Sequence, residues 1–253
     1  IDVAVEATGA FTTYALASAH VKEAGAKRVV LTMPPKDEEG TEGGKTVLMG
    51  VNQEELSTCT ISSNASCTTN AAAPVISILK DSIGIEKAIL NTVHGYTSTQ
   101  VVVDGPTKKK KDFRRGRAAA VNIIPSTTGA AISVSKAIPE LENKFDGIAL
   151  RVPTVTGSIV DITFIATKNT TTEEINEIFK SAIQDPKWKG ILGIAEDPVV
   201  SSDLIGASYG AIVDLGFTRV VDGNLVKILA WYDNEWGYVS TLVSHVLEAG
   251  KSL

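Results

Sequence analysis

The chain has 253 residues, of which 43% are hydrophobic and 21% are charged, and its formal net charge is −5. These values are typical of folded globular proteins and exclude an intrinsically disordered chain, while the acidic balance argues against a dedicated nucleic-acid binder. No stretch approaches the ~18 uninterrupted apolar residues of a membrane-spanning helix, and two cysteines are too few for a zinc site or a disulfide framework, which favours a reducing cytoplasm.

The first predicted elements form an α/β pattern. In chain order they are a short strand around Val3 and Val5 that ends at residues 7–9, a helix capped by Thr12 or Thr13 and closed by Gly25, a strand at 28–33, and short strands near 46–49 and 58–62. The run Arg28–Met33 is nearly all β-branched or apolar, as in a parallel strand that is buried on both faces. This order predicts the C-terminal part of a doubly wound (Rossmann) sheet.

After residue 66 the pattern changes to α+β. The predicted elements are a helix at 67–82, a strand at 85–96, a polar and basic loop at 98–122, strands at 147–151 and 158–166, a helix at 172–183, and strands at 208–215, 218–221 and 225–231. Asp222-Gly223 joins the last two strands as a hairpin turn, which requires antiparallel pairing. We therefore predict a mixed, largely antiparallel sheet for this part.

The chain closes with an amphipathic helix. Its apolar positions follow the spacing of one helical face, which is the face we expect to be buried: Val239, Leu242, Val243, Val246 and Leu247.

Cys67 is the candidate nucleophile. It stands among small polar residues at the start of a predicted helix, where unpaired N–H groups favour a thiolate and can receive an oxyanion. Pro74, seven residues further on, must kink that helix or mark its true start. Cys59 lies in a β-branched run, and we interpret it as a small buried hydrophobe.

His94 is the candidate base. A helix of ~16 residues travels ~24 Å, and a strand of ~10 residues returns ~33 Å, so the chain brings His94 back near Cys67. A Cys–His pair can activate the thiol and shuttle a proton. His20 and His245 lie in amphipathic helices, where we expect surface or partly buried side chains.

Two further features indicate anion binding. Residues 127–130 (TTGA) open a predicted helix, so their N–H groups and hydroxyls can hold a phosphate. Arg151 lies inside a hydrophobic strand, where an unpaired charge is costly. Either a structural ion pair or bidentate phosphate recognition would explain it.

Two motifs are interpreted as incidental. Gly40–Thr46 has the wrong glycine spacing for a phosphate-binding P-loop and follows a loop rather than a strand. The basic run Lys108–Lys111 is interpreted as a solvated loop.

Five sequence blocks resemble phosphorylating glyceraldehyde-3-phosphate dehydrogenase. They occur in that family's order with nearly its spacing: SNASCTTN at 63–70, TVHGYT at 92–97, NIIPSTTGAA at 122–131, LRVPT at 150–154 and WYDNEWGY at 231–238. The resemblance covers essentially the whole chain. It implies NAD-dependent oxidation of glyceraldehyde 3-phosphate with inorganic phosphate, in glycolysis, through a thioester on Cys67, with His94 activating the thiol and accepting the hydroxyl proton.

The same resemblance assigns binding roles. One anion site would use Ser66, Thr68, Thr128 and Gly129. The other would use Thr97 and Arg151, with Arg115 nearby. Asn234 and Thr32 would contact the nicotinamide cofactor. No Gly-x-Gly-x-x-Gly occurs in these residues, and we expect that motif and the acidic ribose ligand upstream of Ile1 in a longer chain; NADP therefore stays open beside NAD.

The resemblance also implies a domain division and an assembly. We expect a partial dinucleotide-binding domain at 1–66, a catalytic domain at 67–234, and a helix at 235–253 that packs back on the first domain, in a homotetramer. The alternatives are erythrose-4-phosphate dehydrogenase, or a non-catalytic relic that binds RNA or an acidic partner. Retention of Cys67, His94 and Arg151 together argues against the relic.

Overall fold

Two β-sheets, one parallel and one mixed, organise the chain. The computed structural model describes residues 1–107, 112–251 and 253, so the basic run Lys108–Lys111 lies outside the described residues. Within those described ranges, no helix is both long enough and apolar enough to cross a membrane.

The first sheet has four parallel strands in the order β1-β2-β4-β3. The strands are β1 (Val3–Glu6), β2 (Arg28–Leu31), β3 (Lys45–Thr46) and β4 (Ile61–Ser63). All four residues of β2 are buried, as predicted from their composition. The doubly wound character of this part is thus confirmed.

The predicted helix between β1 and β2 is divided into α1 (Tyr14–Ala17) and α2 (Ala19–Lys22). Thr13 caps α1 by accepting a hydrogen bond from Leu16 N, as expected. The division falls at Ser18, whose hydroxyl donates to the carbonyl of Ala15 at 2.8 Å. A serine that bonds the preceding turn in this way competes with the regular helical pattern.

The second sheet holds eight strands in the order β6-β7-β5-β8-β12-β10-β9, with β11 paired to β12. The strands are β5 (Ile85–Gly95), β6 (Ile124–Thr127), β7 (Phe145–Val152), β8 (Ser158–Ala166), β9 (Leu192–Ala195), β10 (Ala211–Asp214), β11 (Arg219–Val221) and β12 (Leu225–Tyr232). Only β5–β7 and β9–β10 pair in parallel among these strands. The hairpin at Asp222-Gly223 is confirmed, with positive φ angles of 49° and 77°. The strands β6 and β9 were not predicted.

The register of this sheet aligns four side chains that matter below. Arg151 on β7 pairs with His94 on β5, His94 pairs with Ser158 on β8, and Ser158 pairs with Tyr232 on β12. Residues that pair directly across neighbouring strands point to the same face. Four strands therefore contribute one row of side chains to the same side of the sheet.

Three helices accompany the second sheet: α3 (Cys67–Ser82), α4 (Ala130–Ala137) and α5 (Thr172–Ala182). The central helix, α3, contributes Val75, Ile76 and Leu79 to the largest hydrophobic core. It continues through Pro74, so the alternative in which Pro74 begins the helix is wrong. Thr171 caps α5, because its hydroxyl accepts a hydrogen bond from Glu174 N.

The closing helix, α6 (Trp236–Lys251), buries a different face from the predicted one. Its buried residues are Gly237, Thr241, His245 and Ala249. Three of the five predicted apolar positions are largely exposed instead: Val239 at 48%, Val243 at 51% and Leu247 at 64%. The prediction of one buried apolar stripe is therefore wrong.

The reason lies in how α6 docks. A Cβ at Gly237 would stand 2.5 Å from the carbonyl oxygen of Tyr209, so only glycine permits this approach. His245 is fully buried, with Nε2 2.7 Å from Ser62 Oγ and Nδ1 3.2 Å from Asn64 Oδ1. The expectation of a surface or partly buried His245 is also wrong, because hydrogen bonds to two polar partners compensate for the loss of water around the ring. Close backbone approach and buried polar pairing thus decide the face, not apolarity.

Candidate functional site

Cys67 is the first residue of α3, and a short turn at residues 64–66 separates it from the carboxyl end of β4. The intervening turn is held by Asn70, whose amide donates to the carbonyls of Asn64 at 2.7 Å and Ser66 at 3.0 Å. The Ser66 hydroxyl caps the helix by accepting from Thr69 N at 3.1 Å. These bonds fix the first turn of α3 and leave the thiol at a helix N-terminus.

His94 approaches that thiol from the second sheet. Its Nε2 lies 3.4 Å from Cys67 Sγ. The helix that leads out and the strand that returns thus bring together the two side chains that the sequence singled out. At this distance a proton can pass between sulfur and nitrogen.

Burial shifts the pKa of each group of the pair toward its neutral form. Burial raises the pKa of the Cys67 thiol, and the Arg151 charge and the bonds from Thr68 only partly oppose that effect. Burial, with help from Arg151, lowers the pKa of His94 to about 3. The helix terminus does favour the thiolate, as argued from sequence, but desolvation outweighs it. A neutral His94 is able to accept the proton of the thiol, so its role as base stays a prediction.

Arg151 contacts the histidine rather than a carboxylate. Its Nη1 lies 2.6 Å from His94 Nδ1 and 3.2 Å from the carbonyl oxygen of Gly95. In the described ranges no Asp or Glu forms an ion pair with it, and its buried Nε has no partner. The interpretation of Arg151 as a structural ion pair is therefore wrong for the described residues, and anion recognition stays a prediction.

Sequence reasoning missed Tyr232, which lies beneath the pair. Its ring meets the His94 ring edge-on at 5.8 Å between centroids. Its hydroxyl is 2.8 Å from the hydroxyls of both Thr68 and Thr92. Burial raises the pKa of Tyr232, so the phenol stays protonated and bridges α3 to β5. The only available signal was its place two residues before Asn234 in the WYDNEWGY block.

Ser158 was also missed, and it connects Gly95, the residue after His94, with Asn234. Its hydroxyl accepts from Gly95 N at 3.2 Å and donates to Asn234 Oδ1 at 3.0 Å. Gly157 N donates to the same Oδ1 at 3.0 Å. Two donors on the oxygen fix the orientation of the Asn234 amide, so its NH₂ group is the one presented to a ligand. A lone serine at the start of an alternating strand carries no sequence signal for this role.

The residues assigned to the anion site around Arg151 form a short chain of contacts. Thr97 Oγ1 lies 3.0 Å from Thr99 Oγ1, which accepts from Arg115 Nη1 at 3.0 Å. Arg115 is buried, and its guanidinium also bonds Ser126 Oγ at 3.0 Å and faces Asp112 at 3.4 Å. Thr97 and Arg115 are thus brought together, although most of the Arg115 donors already have protein partners.

The other proposed anion residues stand at two helix starts. Thr128 Oγ1 accepts from Ala130 N at 3.2 Å, and Gly129 occupies the cap position of α4. Ser66 caps α3, and the Thr68 hydroxyl is held by Tyr232. Each start offers backbone N–H groups to an anion, and within the described residues no hydrogen bond joins the two starts directly.

Thr32 lies just beyond the carboxyl end of β2. Its hydroxyl donates to the carbonyl of Glu6 at 3.1 Å, and its own carbonyl accepts from the Tyr238 hydroxyl at 2.7 Å. Tyr238 also donates to the Ala65 carbonyl at 3.2 Å, which ties this edge to the turn before Cys67. Ligands of doubly wound sheets bind at the carboxyl ends of the strands, so the edge fits a dinucleotide beside the thiol.

Comparison with known proteins adds independent information. Residues 66–234 match the family model described as glyceraldehyde 3-phosphate dehydrogenase, C-terminal domain. The chain is 47% identical over 249 residues to glyceraldehyde-3-phosphate dehydrogenase of Borreliella burgdorferi, and the aligned region covers 96% of this chain and 72% of that protein. It is 45% identical over 254 residues to the enzyme of the same name from Mycolicibacterium smegmatis, covering 100% and 72%. For the Streptomyces coelicolor protein of that name, identity is 45% over 255 residues, covering 100% and 73%.

Proposed function

Because the chain belongs to the glyceraldehyde-3-phosphate dehydrogenase family of oxidoreductases, we propose that it oxidises glyceraldehyde 3-phosphate to 1,3-bisphosphoglycerate through a thioester on Cys67. The observation that carries the proposal is the 3.4 Å contact between Cys67 Sγ and His94 Nε2 at the N-terminus of α3. A nucleophile, a base and the backbone N–H groups of a helix start, which can stabilise an oxyanion, meet at that point.

The reaction begins with the thiol. His94 Nε2 takes the proton of Cys67 while sulfur bonds to the aldehyde carbon, and the carbonyl oxygen receives that proton to give a hemithioacetal. The N–H groups at the start of α3 stabilise the negative charge on oxygen before it is protonated. The low pKa that burial gives His94 suits this step, because a neutral imidazole can accept a proton.

Oxidation follows at the same carbon. His94 removes the hydroxyl proton while hydride leaves the carbon, and the C–S unit becomes a thioester. A bound nicotinamide supplies the hydride acceptor. Inorganic phosphate then attacks the thioester carbon, the C–S bond breaks, and the proton held by His94 returns to sulfur.

NAD is the proposed cofactor, with NADP as the alternative. The Asn234 amide, oriented by Ser158 and Gly157, presents its NH₂ group as a donor that would hold the nicotinamide carboxamide oxygen. Thr32 at the edge of the parallel sheet is the second proposed contact. These donors support a nicotinamide at Cys67, while the choice between the two dinucleotides depends on the adenosine end.

Two anion sites are proposed for the two phosphates. Arg151 and Thr97, with Arg115 behind them, would hold one, and the helix starts at Ser66–Thr68 and Thr128–Gly129 the other. The buried Arg151 Nε without a partner supports the first site, because a buried guanidinium N–H calls for an acceptor.

A homotetramer is proposed from the outer face of the second sheet. Ile89 at 58% exposure, Ile148 at 52% and Leu225 at 42% lie on or beside a groove of about 800 Å³ on that face. The buried Asn91 Oδ1 has no partner there within the described chain. Exposed isoleucine and leucine side chains on a sheet face favour association with further copies. We also propose the domain division at residues 66 and 234 and a cytoplasmic location.

The test is to trap the thioester. The protein is mixed with aldehyde and dinucleotide without phosphate, quenched in acid and digested, and the acyl adduct is located by mass spectrometry. We expect it on Cys67 in the wild type and in Cys59→Ser, and not in Cys67→Ser. An adduct elsewhere, or release of product from Cys67→Ser, would contradict the proposal, and erythrose 4-phosphate in a parallel reaction tests the other aldehyde.

A further inference from the structure

The side-chain amide of Gln100 is bonded on one side only. Its Oε1 accepts from Thr97 N at 3.2 Å, and the backbone N–H of Gln100 donates to the Thr97 carbonyl at 3.0 Å. Because a backbone N–H can only donate, the amide oxygen must face Thr97 N, and the orientation of the amide is fixed. The residue is 8% exposed, and its Nε2 has no partner within the described residues.

Buried side-chain nitrogens without a partner are rare in this protein. Among the residues that the structure describes there are two, Gln100 Nε2 and Arg151 Nε, while the other unpartnered buried side-chain atoms are oxygens. A buried N–H group without an acceptor costs free energy, and nearly all such groups in folded proteins are paired. These two nitrogens therefore call for an acceptor that comes from a ligand.

The fold brings the two residues to one corner of the second sheet. The strands β5 and β7 pair in parallel up to their carboxyl ends. Just beyond, Tyr96 N donates to the Thr154 carbonyl at 3.1 Å, which keeps the two segments together. The turn at 97–100 therefore starts beside the end of β7 that carries Arg151. The residue after the turn donates its N–H to the Arg115 carbonyl at 3.3 Å, so both arginines of the proposed anion site flank this turn.

We propose that Gln100 is a further substrate-binding residue: its Nε2 donates a hydrogen bond to the phosphate group that Arg151 and Thr97 would hold. The proposal rests on the function proposed above and deepens it, because it adds a residue to the recognition of a phosphorylated substrate. A phosphate group carries three strong acceptor oxygens, so it can pair with donors from several segments at once. The amide adds a donor without adding charge, which suits a corner that already holds two arginines.

A purely structural role for Gln100 is the competing explanation. If the amide only closes the turn at 97–100, its N–H protons meet no ligand and do not respond to phosphate. Loss of the amide would then disturb Thr97 and weaken anion binding indirectly, so affinity alone does not separate the two explanations. The amide protons of the unmodified chain do separate them, because hydrogen bonds to charged acceptors are shorter and stronger than those to neutral ones.

The experiment follows side-chain amide signals of the full ¹⁵N-labelled chain by NMR, near neutral pH. The chain has three glutamines, so the Gln100 amide is assigned by its loss in Gln100→Met. Spectra are recorded with chloride, inorganic phosphate or glycerol 3-phosphate at equal ionic strength; the last two distinguish the free ion from a phosphate ester. The backbone amide of Thr97 reports the affinity in each variant. Gln53→Met is the matched control, because Gln53 Oε1 accepts from Gly50 N at 3.1 Å across the same spacing.

We expect a saturable downfield shift of a Gln100 side-chain proton with glycerol 3-phosphate, with inorganic phosphate or with both, and no such shift for Gln53. Gln100→Met should bind the anion that causes the shift about tenfold more weakly, as expected for the loss of one hydrogen bond to a charged acceptor. Gln53→Met should bind it like the wild type.

A Gln100 amide that responds to neither phosphate compound, or an unchanged affinity in Gln100→Met, would overturn the assignment. Where Gln100→Met does not fold, the signal is assigned by elimination from Gln53→Met and Gln184→Met, and the wild-type spectra decide the question. No aldehyde or dinucleotide is present, so failure of this assignment and failure of the thioester test are separate results.

Discussion

Replacing His245 by Gln should remove an acid-sensitive component of stability. Burial lowers the pKa of His245 to about 4 in the folded chain, against 6.5 for the ordinary side chain. The unfolded chain therefore binds a proton at a pH where the folded chain does not. The stabilisation is fully present above about pH 6.5 and is lost as the pH falls toward about 4.

The magnitude follows from the difference in pKa. One unit corresponds to ~1.4 kcal/mol, so the wild type should lose about 2 kcal/mol of unfolding free energy from this group at pH 5 and about 3 kcal/mol at pH 4, relative to pH 7. The depressed pKa of His94 adds a similar dependence, but it is common to both proteins and cancels in their difference. A neutral glutamine at position 245 has no such dependence.

The assay is urea unfolding followed by circular dichroism, at fixed ionic strength, between about pH 7 and pH 5. The wild type should be more stable than His245→Gln at pH 7, because the variant disturbs the bonds to Ser62 and Asn64. The gap should shrink by about 2 kcal/mol at pH 5. Two curves that stay parallel across this range would refute the reasoning.

Three other outcomes are expected. Iodoacetamide should label Cys67 much faster than Cys59 at neutral pH, because Cys59 is 6% exposed and burial raises its pKa without a neighbouring base; peptide mapping that finds equal labelling would contradict this. Ser158→Ala should weaken NAD binding about tenfold, since the Asn234 amide loses one of its two orienting donors. Ser158→Thr should restore part of that affinity. Calorimetric titration measures both affinities, and an unchanged affinity in Ser158→Ala would exclude the positioning role. Ser66→Ala should cost about 1 kcal/mol in unfolding free energy because it removes the cap of α3, and a loss below about 0.3 kcal/mol would show that the cap is replaced by another group.

Local signals predicted the parts of the fold that depend on local chemistry. The Asp222-Gly223 turn requires positive φ angles, and both are present. The helix from Cys67 to Ser82 was found in full, because its polar start and apolar body are visible in the sequence. Arithmetic on helix rise and strand length was enough to bring His94 back to Cys67.

The rest depends on neighbours that a single sequence does not display. The docking of α6 is decided by the space beside Gly237 and by partners of His245 that lie about 180 residues away. The role of Ser158 depends on a register with His94 that only the assembled sheet defines. Arg151 was recognised as unusual, but its partner His94 lies on β5, the neighbouring strand in the sheet, so the contact could not be inferred from the segment around Arg151.

The row Arg151–His94–Ser158–Tyr232 has a consequence for how the chain tolerates change in length. Each of the four residues belongs to a different strand, and one inserted or deleted residue within any of these strands turns the following side chains to the opposite face. Such a change moves one side chain of the row to the opposite face of the sheet and brings the adjacent residue of that strand into its position. Length variation among descendants of this chain should therefore collect in the connections, such as residues 98–122 and 153–157, and be absent between residues 88 and 95. The alternation of side chains along each strand therefore fixes the position of the row. A scan of single-residue insertions along the chain would show which positions the row depends on, without any substrate.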